Sequence, residues 1–435
     1  MLILPGWLIT DANSPARRGW GLRIVGNEVA DVSPADQLIG MHPDEERIDA
    51  PDAICLPGFV NSHVHMYGVL AHGIDAQQPP SGFKSFLEDY WWPQVEDALD
   101  QSMIEAATDW VCAEMLKTGT TTFCDILEAP FALPDALLVE REVVKRHGIR
   151  GVLSFEATER AGDKIAEAGL RANVELVEAS LDDSLVSGLM SFHTTFTCSD
   201  GFIRRAFELG DDNGIVTHAH ANESKFEGDW CQNQYGHSTF EHYGELGVAG
   251  PMFLASQCVQ LTKRDREIIA DQGVRVSHMP LSNCEVGGGI APVPELLDAG
   301  VTVGLGSDGY INDFFEVMRG AFLLAKARRL DPGVMPANTV LSMATEGGAE
   351  ALGLNQVGRL EVGWSADLQL VDGNFPTPVT DNNIFEQLLL WRSHRDVRDV
   401  MVAGKWRVRG GEVLDADIEQ LRARVQSEAQ RLWTS

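Results

Sequence analysis

The chain has 435 residues, of which 34 are Lys or Arg and 64 are Asp or Glu, so its formal net charge is −30 at pH 7. Such an excess of acid argues against binding to nucleic-acid phosphates and against docking on an anionic membrane, because both need clustered basic side chains. Hydrophobic residues make up 44% and charged residues 23% of the chain, which is typical of a folded globular protein. The length fits two or three domains of about 150 residues, or one (β/α)₈ barrel of about 250 residues with a small appended domain.

No apolar run approaches the roughly 20 residues that a transmembrane helix needs, and residues 1–10 lack the basic start of a signal peptide. The seven cysteines are scattered along the chain and form no CxxC pair. Because this pattern is typical of reduced thiols, we expect a cytoplasmic protein with no membrane partner.

In chain order, residues 1–50 have the pattern of short strands and turns, and from about residue 56 short β-rich apolar runs alternate with helical periodicity. Eight such runs are predicted as strands, at 58–65, 120–127, 150–158, 188–195, 214–221, 252–260, 274–281 and 301–308. Eight strands alternating with helices over about 250 residues indicate a closed barrel.

The strand rhythm returns at 366–371, 397–402 and 405–409, so both ends of the chain are β-rich and flank the barrel. We therefore predict an α/β fold, in which a (β/α)₈ TIM barrel over 56–359 carries a small β-sandwich. Segments 1–55 and 360–415 would form that sandwich, and 416–435 a C-terminal helix.

Three polar motifs fall at the ends of predicted barrel strands. His63 and His65 end the first strand and point to the same side of it, so the two imidazoles can bind one metal ion. His220 ends the fifth strand and is followed by Glu223, whose carboxylate could shuttle protons, and Asp308 ends the eighth. Each motif alone is more often a pair of loop histidines or a turn. Their joint position at the carboxyl ends of strands, where barrel enzymes keep their sites, favours a catalytic metal centre.

These motifs resemble a known group. Residues 56–65, LPGFVNSHVH, resemble the signature of the amidohydrolase superfamily. Residues 277–283 (SHMPLSN), 304–309 (GLGSDG) and 401–406 (MVAGKW) resemble its branch of triazine hydrolases and S-adenosylhomocysteine and methylthioadenosine deaminases. The resemblance covers about residues 2–430. It implies one divalent metal ion, zinc or iron, held by His63, His65, His220 and Asp308.

The same resemblance implies that metal-bound hydroxide attacks a ring carbon of a heterocycle. Glu223 would protonate the neighbouring ring nitrogen, and Asp308 would help to deprotonate the attacking water. Residues implied to contact the substrate or support its pocket are His193, His278, Asn283 and Trp92, the last from an aromatic segment at 81–93. For His193 and His278 a purely structural role is equally compatible with the sequence, and packing of a helix on the barrel explains the aromatic segment as well. We expect His218 to lie behind the ligands.

One motif departs from the family pattern. Where the family has His-Cys-Val-His-Leu, this chain has Gln257-Cys258-Val259-Gln260-Leu261. Gln257 can donate a hydrogen bond but cannot titrate, and losing such an electrostatic donor can cost about 10²–10³ in rate. We therefore count Gln257 among the catalytic candidates.

The sequence thus predicts a metal-dependent hydrolase that deaminates an aminated N-heterocycle such as a purine, pterin, pyrimidine or triazine. Alternatives are the same site removing chloride or an alkylamine, or opening a cyclic amide. A non-catalytic binding protein is the alternative from another class. We expect a small-molecule heterocyclic substrate and a homodimer or higher homo-oligomer.

Overall fold

The computed structural model describes residues 1–75 and 80–434. The N-terminal strands are β1 (Leu2–Leu8), β2 (Arg17–Arg18), β3 (Trp20–Val25), β4 (Glu28–Pro34) and β5 (Arg47–Pro57). The central strands are β6 (Phe59–Val64), β7 (Thr120–Leu127), β8 (Arg150–Ala157), β9 (Val186–Gly188), β10 (Met190–Phe192), β11 (Thr217–Ala221), β12 (Phe253–Gln257), β13 (Arg275–His278) and β14 (Val303–Leu305). The C-terminal strands are β15 (Leu368–Asp372), β16 (Val397–Val402), β17 (Lys405–Arg409) and β18 (Glu412–Val413).

The helices alternate with the central strands and continue after them. Up to β11 they are α1 (Ala35–Met41), α2 (Phe83–Phe86), α3 (Trp92–Gln94), α4 (Gln101–Lys117), α5 (Ala136–His147), α6 (Asp163–Ala179) and α7 (Asp200–Asn213). The others are α8 (Lys225–Tyr235), α9 (Thr239–Leu246), α10 (Lys263–Gln272), α11 (Ser282–Glu285), α12 (Val293–Asp298), α13 (Phe314–Arg329), α14 (Ala337–Met343), α15 (Glu346–Ala351), α16 (Ile384–Trp391) and α17 (Ile418–Trp433). None of these helices is both long and apolar enough to cross a bilayer.

The central strands form the predicted barrel. They pair in parallel in chain order from β6 to β14, with the short β9 beside β8. A parallel bridge between Val64 and Asp308 closes the ring. Every residue of β6, β7, β11 and β12 is buried, because helices cover the outside and side chains fill the inside. The (β/α)₈ TIM barrel is confirmed.

The predicted barrel runs agree with the observed strands except at some ends. The second run coincides with β7, whereas the eighth, predicted to end at residue 308, ends at Leu305. Beyond Leu305 the chain turns, since Asp308 has a φ of 61° and its N–H donates to the carbonyl of His63 across the barrel seam. Asp308 therefore lies beyond the end of β14, at the isolated bridge to Val64 that closes the barrel.

The two ends of the chain meet in a second, mixed sheet. Its strands follow one path, β4-β3-β1-β5-β15-β16-β17-β18, with the N-terminal β5 antiparallel to the C-terminal β15. The path bends back on itself, so that Val29 N–H donates to Trp364 O and Ala366 N–H to Asn27 O, each at 2.9 Å. The bent sheet encloses its own apolar core, which includes Ile3, Leu22, Cys55, Leu368 and Met401.

A buried ion pair joins this sheet to the barrel. Asp367 precedes β15, and its Oδ2 accepts hydrogen bonds from Nε and Nη2 of Arg150 at 3.2 and 3.1 Å. Its Oδ1 accepts from the N–H of Ala403 at 2.6 Å. Arg150 begins β8, so the contact lies at the end of the barrel opposite the carboxyl ends of the strands.

We expect Asp367→Ala to lower the free energy of unfolding by about 3 kcal/mol, because it leaves a mostly buried guanidinium without its carboxylate. Thermal unfolding checks this, with Asp381→Ala, which removes an exposed carboxylate, as the control. A melting temperature equal to that of the control would show that the pair does not fix the sheet to the barrel.

Candidate active site

Four predicted metal ligands converge at the carboxyl ends of β6, β11 and β14. The Nε2 atoms of His63 and His65 are 3.3 Å apart, and those of His65 and His220 are 3.4 Å apart. Asp308 Oδ1 lies 3.4 Å from Nε2 of His65 and 4.0 Å from Nε2 of His63. Ligand atoms at about 2.1 Å from one metal ion lie about 3.0–3.4 Å from each other. The three imidazoles therefore fit a shared divalent metal ion, and the Asp308 carboxylate lies beside them.

Hydrogen bonds behind the rings hold two of the imidazoles in place. Nδ1 of His65 donates to the carbonyl of Ile126 at 2.6 Å, and Nδ1 of His220 is 2.6 Å from Oε1 of Glu156. A donating Nδ1 leaves the lone pair of a neutral ring on Nε2, where a metal ion needs it. Burial lowers the pKa of His63 and of His65, which favours the neutral rings.

Asp308 is held as an anion by its surroundings. Its Oδ2 accepts hydrogen bonds from Nε2 of Gln257 at 2.8 Å and from Oγ of Ser282 at 2.9 Å, and its Oδ1 faces the imidazoles. Burial by itself would raise the pKa of this carboxyl. The imidazoles of His65 and His63 oppose that rise, and the net shift of the pKa is downward.

The backbone is strained where the strands end. Asn222, Gln257, Cys258 and Asp308 all have positive φ, between 50° and 73°. Such conformations are costly for residues with a side chain, and in proteins they cluster at active sites. Here they follow β11, β12 and β14 and turn the chain so that polar side chains face the barrel axis.

A cavity of about 320 Å³ opens over the metal centre. Its floor includes His65, His220, Gln257 and Asp308, and Glu223 is part of its lining. Burial, together with the charge of Asp308, raises the pKa of Glu223 to about 8. A carboxyl group with such a pKa can hold a proton near neutral pH.

Aromatic side chains form much of the remaining wall. Phe83, Phe86, Tyr90 and Trp91 line the cavity from the predicted aromatic segment. The rings of Phe86 and Trp91 stack at 5.6 Å between centroids. After α2, residues Leu87–Trp91 form a π-helical turn, and such wide turns are frequent at functional sites. Flat aromatic faces of this kind suit a planar ring.

Trp92 lies behind this wall and does not line the cavity. Its ring meets the edge of His193 at 5.9 Å, and the guanidinium of Arg160 lies 5.0 Å from its centroid. His193 itself does line the cavity, with Nδ1 2.9 Å from Oγ1 of Thr197. Trp91 thus lies where the sequence suggested Trp92.

The other predicted pocket residues are set back from the cavity. His278 ends β13 and is buried, and Asn283 is fully buried with neither side-chain oxygen nor nitrogen bonded within the described residues. Substrate contact by either stays a prediction. His218 lies against the rings of His63 and His220, at 5.1 and 5.3 Å between centroids, and its Nδ1 is 2.9 Å from Oγ of Ser191.

Comparison with known proteins identifies the family. The profile of the Amidohydrolase family matches residues 54–407. The chain belongs to the amidohydrolase family. The family resemblance of the sequence motifs is thereby confirmed.

Relatives of this amidohydrolase match almost its whole length. A 5-methylthioadenosine/S-adenosylhomocysteine deaminase of Syntrophobacter fumaroxidans is 32% identical, with 98% of this chain and 96% of the relative covered. A 5'-deoxyadenosine deaminase of Methanothermobacter thermautotrophicus is 30% identical, over 95% and 94%. The crystal structure of an adenosine deaminase from Xanthomonas campestris with bound zinc has a TM-score of 0.90 at 27% identity, covering 100% of this chain and 98% of that one. This amidohydrolase is a hydrolase acting on C–N bonds.

Sequence reasoning missed the acidic network beneath His220 in this amidohydrolase. Glu156, in β8, is held close to Glu128, and both burial and Glu128 raise the pKa of Glu156 well above its usual range. Arg160 donates to Glu128 at 2.5 Å and to Glu96 at 2.9 Å. The signal was present, since Glu156 is a carboxylate near the carboxyl end of a predicted barrel strand.

Gln257 of this amidohydrolase has a fixed orientation. A carboxylate only accepts hydrogen bonds, so the amide nitrogen must face Asp308 and the carbonyl Oε1 must point the other way. Oε1 is buried and has no partner within the described residues, and Gln257 lines the cavity. The expected donor therefore donates to Asp308, and its carbonyl oxygen is buried without a partner among the described residues.

Proposed function

We propose that this protein catalyses the hydrolytic deamination of an aminated N-heterocycle, with adenine nucleosides as the first substrates to test. The observation that carries the proposal is Glu223, a carboxyl of raised pKa in the lining of the cavity whose floor holds the convergent ligand set. The names of the relatives supply the substrate class.

In this proposal His63, His65, His220 and Asp308 hold one divalent ion, zinc or iron. When bound, the ion would act as a Lewis acid and make water a nucleophile near neutral pH. Their N and O atoms suit either metal.

The residues of the chain move the protons. Asp308, kept ionised by its neighbours, accepts a proton from the attacking water. Glu223 holds a proton at its carboxyl and gives it to the ring nitrogen next to the attacked carbon. Negative charge develops on that nitrogen as the water oxygen bonds to the carbon, and the proton neutralises it as an N–H group. Asp308 then gives the water proton to the amino group, which leaves as ammonia when the C–N bond breaks. The proton of the new hydroxyl group returns to Glu223, and the carbonyl product remains in the cavity.

Gln257 positions Asp308, because its Nε2 donates a hydrogen bond to Oδ2 of that carboxylate at 2.8 Å. This hydrogen bond holds the proton acceptor in place beside the imidazoles.

We expect Glu223→Gln to reduce kcat by about 10³-fold, because the amide cannot donate a proton and become an anion. The test follows ammonia and chloride release from amino-, chloro- and cyclic-amide heterocycles, including adenosine and 5'-deoxyadenosine. Glu175→Gln, an exposed carboxylate on α6, is the matched control, and metal content is measured for all proteins. Activity of Glu223→Gln within tenfold of wild type would remove Glu223 from the mechanism.

Gln257→Leu should lower kcat/KM for an amino substrate by about 10²-fold, since it removes one buried polar contact to the reacting groups. Gln257→His keeps a polar group at this position and should retain more activity than the leucine variant. Steady-state kinetics on metal-loaded proteins measure both. Equal activity of wild type and both variants would place Gln257 outside the reacting site.

We further propose a cytoplasmic homo-oligomer, as the sequence suggests. The domain limits at residues 55–56 and 359–360 are part of the same proposal, supported by the pairing of β5 with β15.

A further inference from the structure

We infer that the cavity selects against substrates with an anionic substituent, and that Glu285 at its edge is the specificity-determining residue. The inference rests on the proposed deamination and adds the charge of the substrate. It comes from the charges that line the cavity and from how each is paired.

The cavity lining is acidic. Glu96, Glu156, Glu223, Glu285 and Asp308 contribute carboxyl groups to it, and among the described residues neither Lys nor Arg lines it. Residues 76–79, which lie outside the described residues, contain no basic side chain either. A substrate phosphate or carboxylate away from the floor would therefore have no Lys or Arg partner in the cavity wall, which is unfavourable in a partly buried site.

Two basic side chains that pack against residues of this wall have carboxylate partners. Arg160 donates to Glu128, to Glu96 and, at 2.7 Å, to Asp97, so three carboxylates surround its guanidinium. Lys84, on α2, lies 3.5 Å from Glu88. Redirecting Arg160 to a substrate anion would leave buried carboxylates unpaired, at a cost of several kcal/mol.

Glu285 differs from the other carboxyl groups in its position and its lack of partners. It ends α11 and is exposed, whereas Glu96 and Glu156 are buried and hydrogen-bonded. No hydrogen bond or ion pair of its side chain is found within residues 1–75 and 80–434. It is not among the converging ligands, so a metal ion at the floor leaves its charge unpaired.

Glu285 is an exposed residue of the cavity lining, and Tyr90 lines the same cavity. Because the predicted ligands form the floor, the part of a substrate that extends away from the reacting ring would meet Glu285. A free carboxylate there accepts hydrogen bonds from sugar hydroxyls and attracts an ammonium or sulfonium group, and it repels an anion. The expected substrates are neutral or cationic adenine nucleosides, in preference to nucleotides and 5'-carboxylates.

An isosteric pair of substrates tests this without a change in size. We expect adenosine-5'-carboxamide to be deaminated with a kcat/KM about 100-fold higher than that of adenosine-5'-carboxylic acid. Glu285→Lys should narrow this ratio by about tenfold or more, and Glu285→Gln by a smaller factor. Glu175→Lys makes the same change in net charge on the last turns of α6, which runs away from the cavity, and should leave the ratio unchanged.

The outcomes separate this inference from the proposed function. Turnover of the acid within threefold of the amide, or a ratio that neither Glu285 variant changes, would overturn the inference while leaving deamination intact. If neither compound nor adenosine releases ammonia, adenine nucleosides are not the substrates and this inference fails with them. If no amino heterocycle of the wider screen releases ammonia, the proposed function fails. Because Glu285→Gln is a conservative change, it keeps the test decisive if the lysine variant does not fold.

Discussion

The closure of the barrel between β6 and β14 is the constraint on which the metal centre depends. The bridge from Val64 to Asp308 brings the last strand beside the first, and it places the Asp308 carboxylate against two imidazoles that are 245 and 243 residues away in the chain. β8, β11 and β12 add Glu156, His220 and Gln257 at the same end, and His193 follows β10 there. A site of this kind cannot form from any local segment, so folding of the whole barrel is the condition for metal binding.

Burial of many charges around one point gives the site its chemistry. Imidazoles lower the pKa of Asp308, whereas burial raises that of Glu223, so two carboxyl groups of one cavity have opposite protonation states near neutral pH. Pairs with separated pKa values mark acid and base roles in hydrolases. The network of Glu156, Glu128 and Arg160 supports His220 from behind. Within residues 1–75 and 80–434, neither Lys nor Arg lines the cavity.

Much of this was predictable because barrels obey strong local rules. Short β-rich apolar runs located the strands, and the carboxyl ends of those strands located His63, His220 and Asp308. The rest depends on backbone detail that no pattern encodes. The π-helical turn at Leu87–Trp91 decides which of two adjacent tryptophans faces the cavity. The positive φ of Gln257 turns the backbone so that its side-chain amide reaches Asp308. The Glu156 support required knowing which strands are neighbours.

The central claim is that four side chains from β6, β11 and β14 hold a divalent metal ion. The measurement that tests it most directly is metal content after chelation and reloading with zinc or iron, for the wild type beside His63→Ala and Asp308→Ala. The account predicts about one equivalent in the wild type and a large loss in both variants, with folding retained by circular dichroism. A well-folded wild-type protein that takes up neither metal would contradict it.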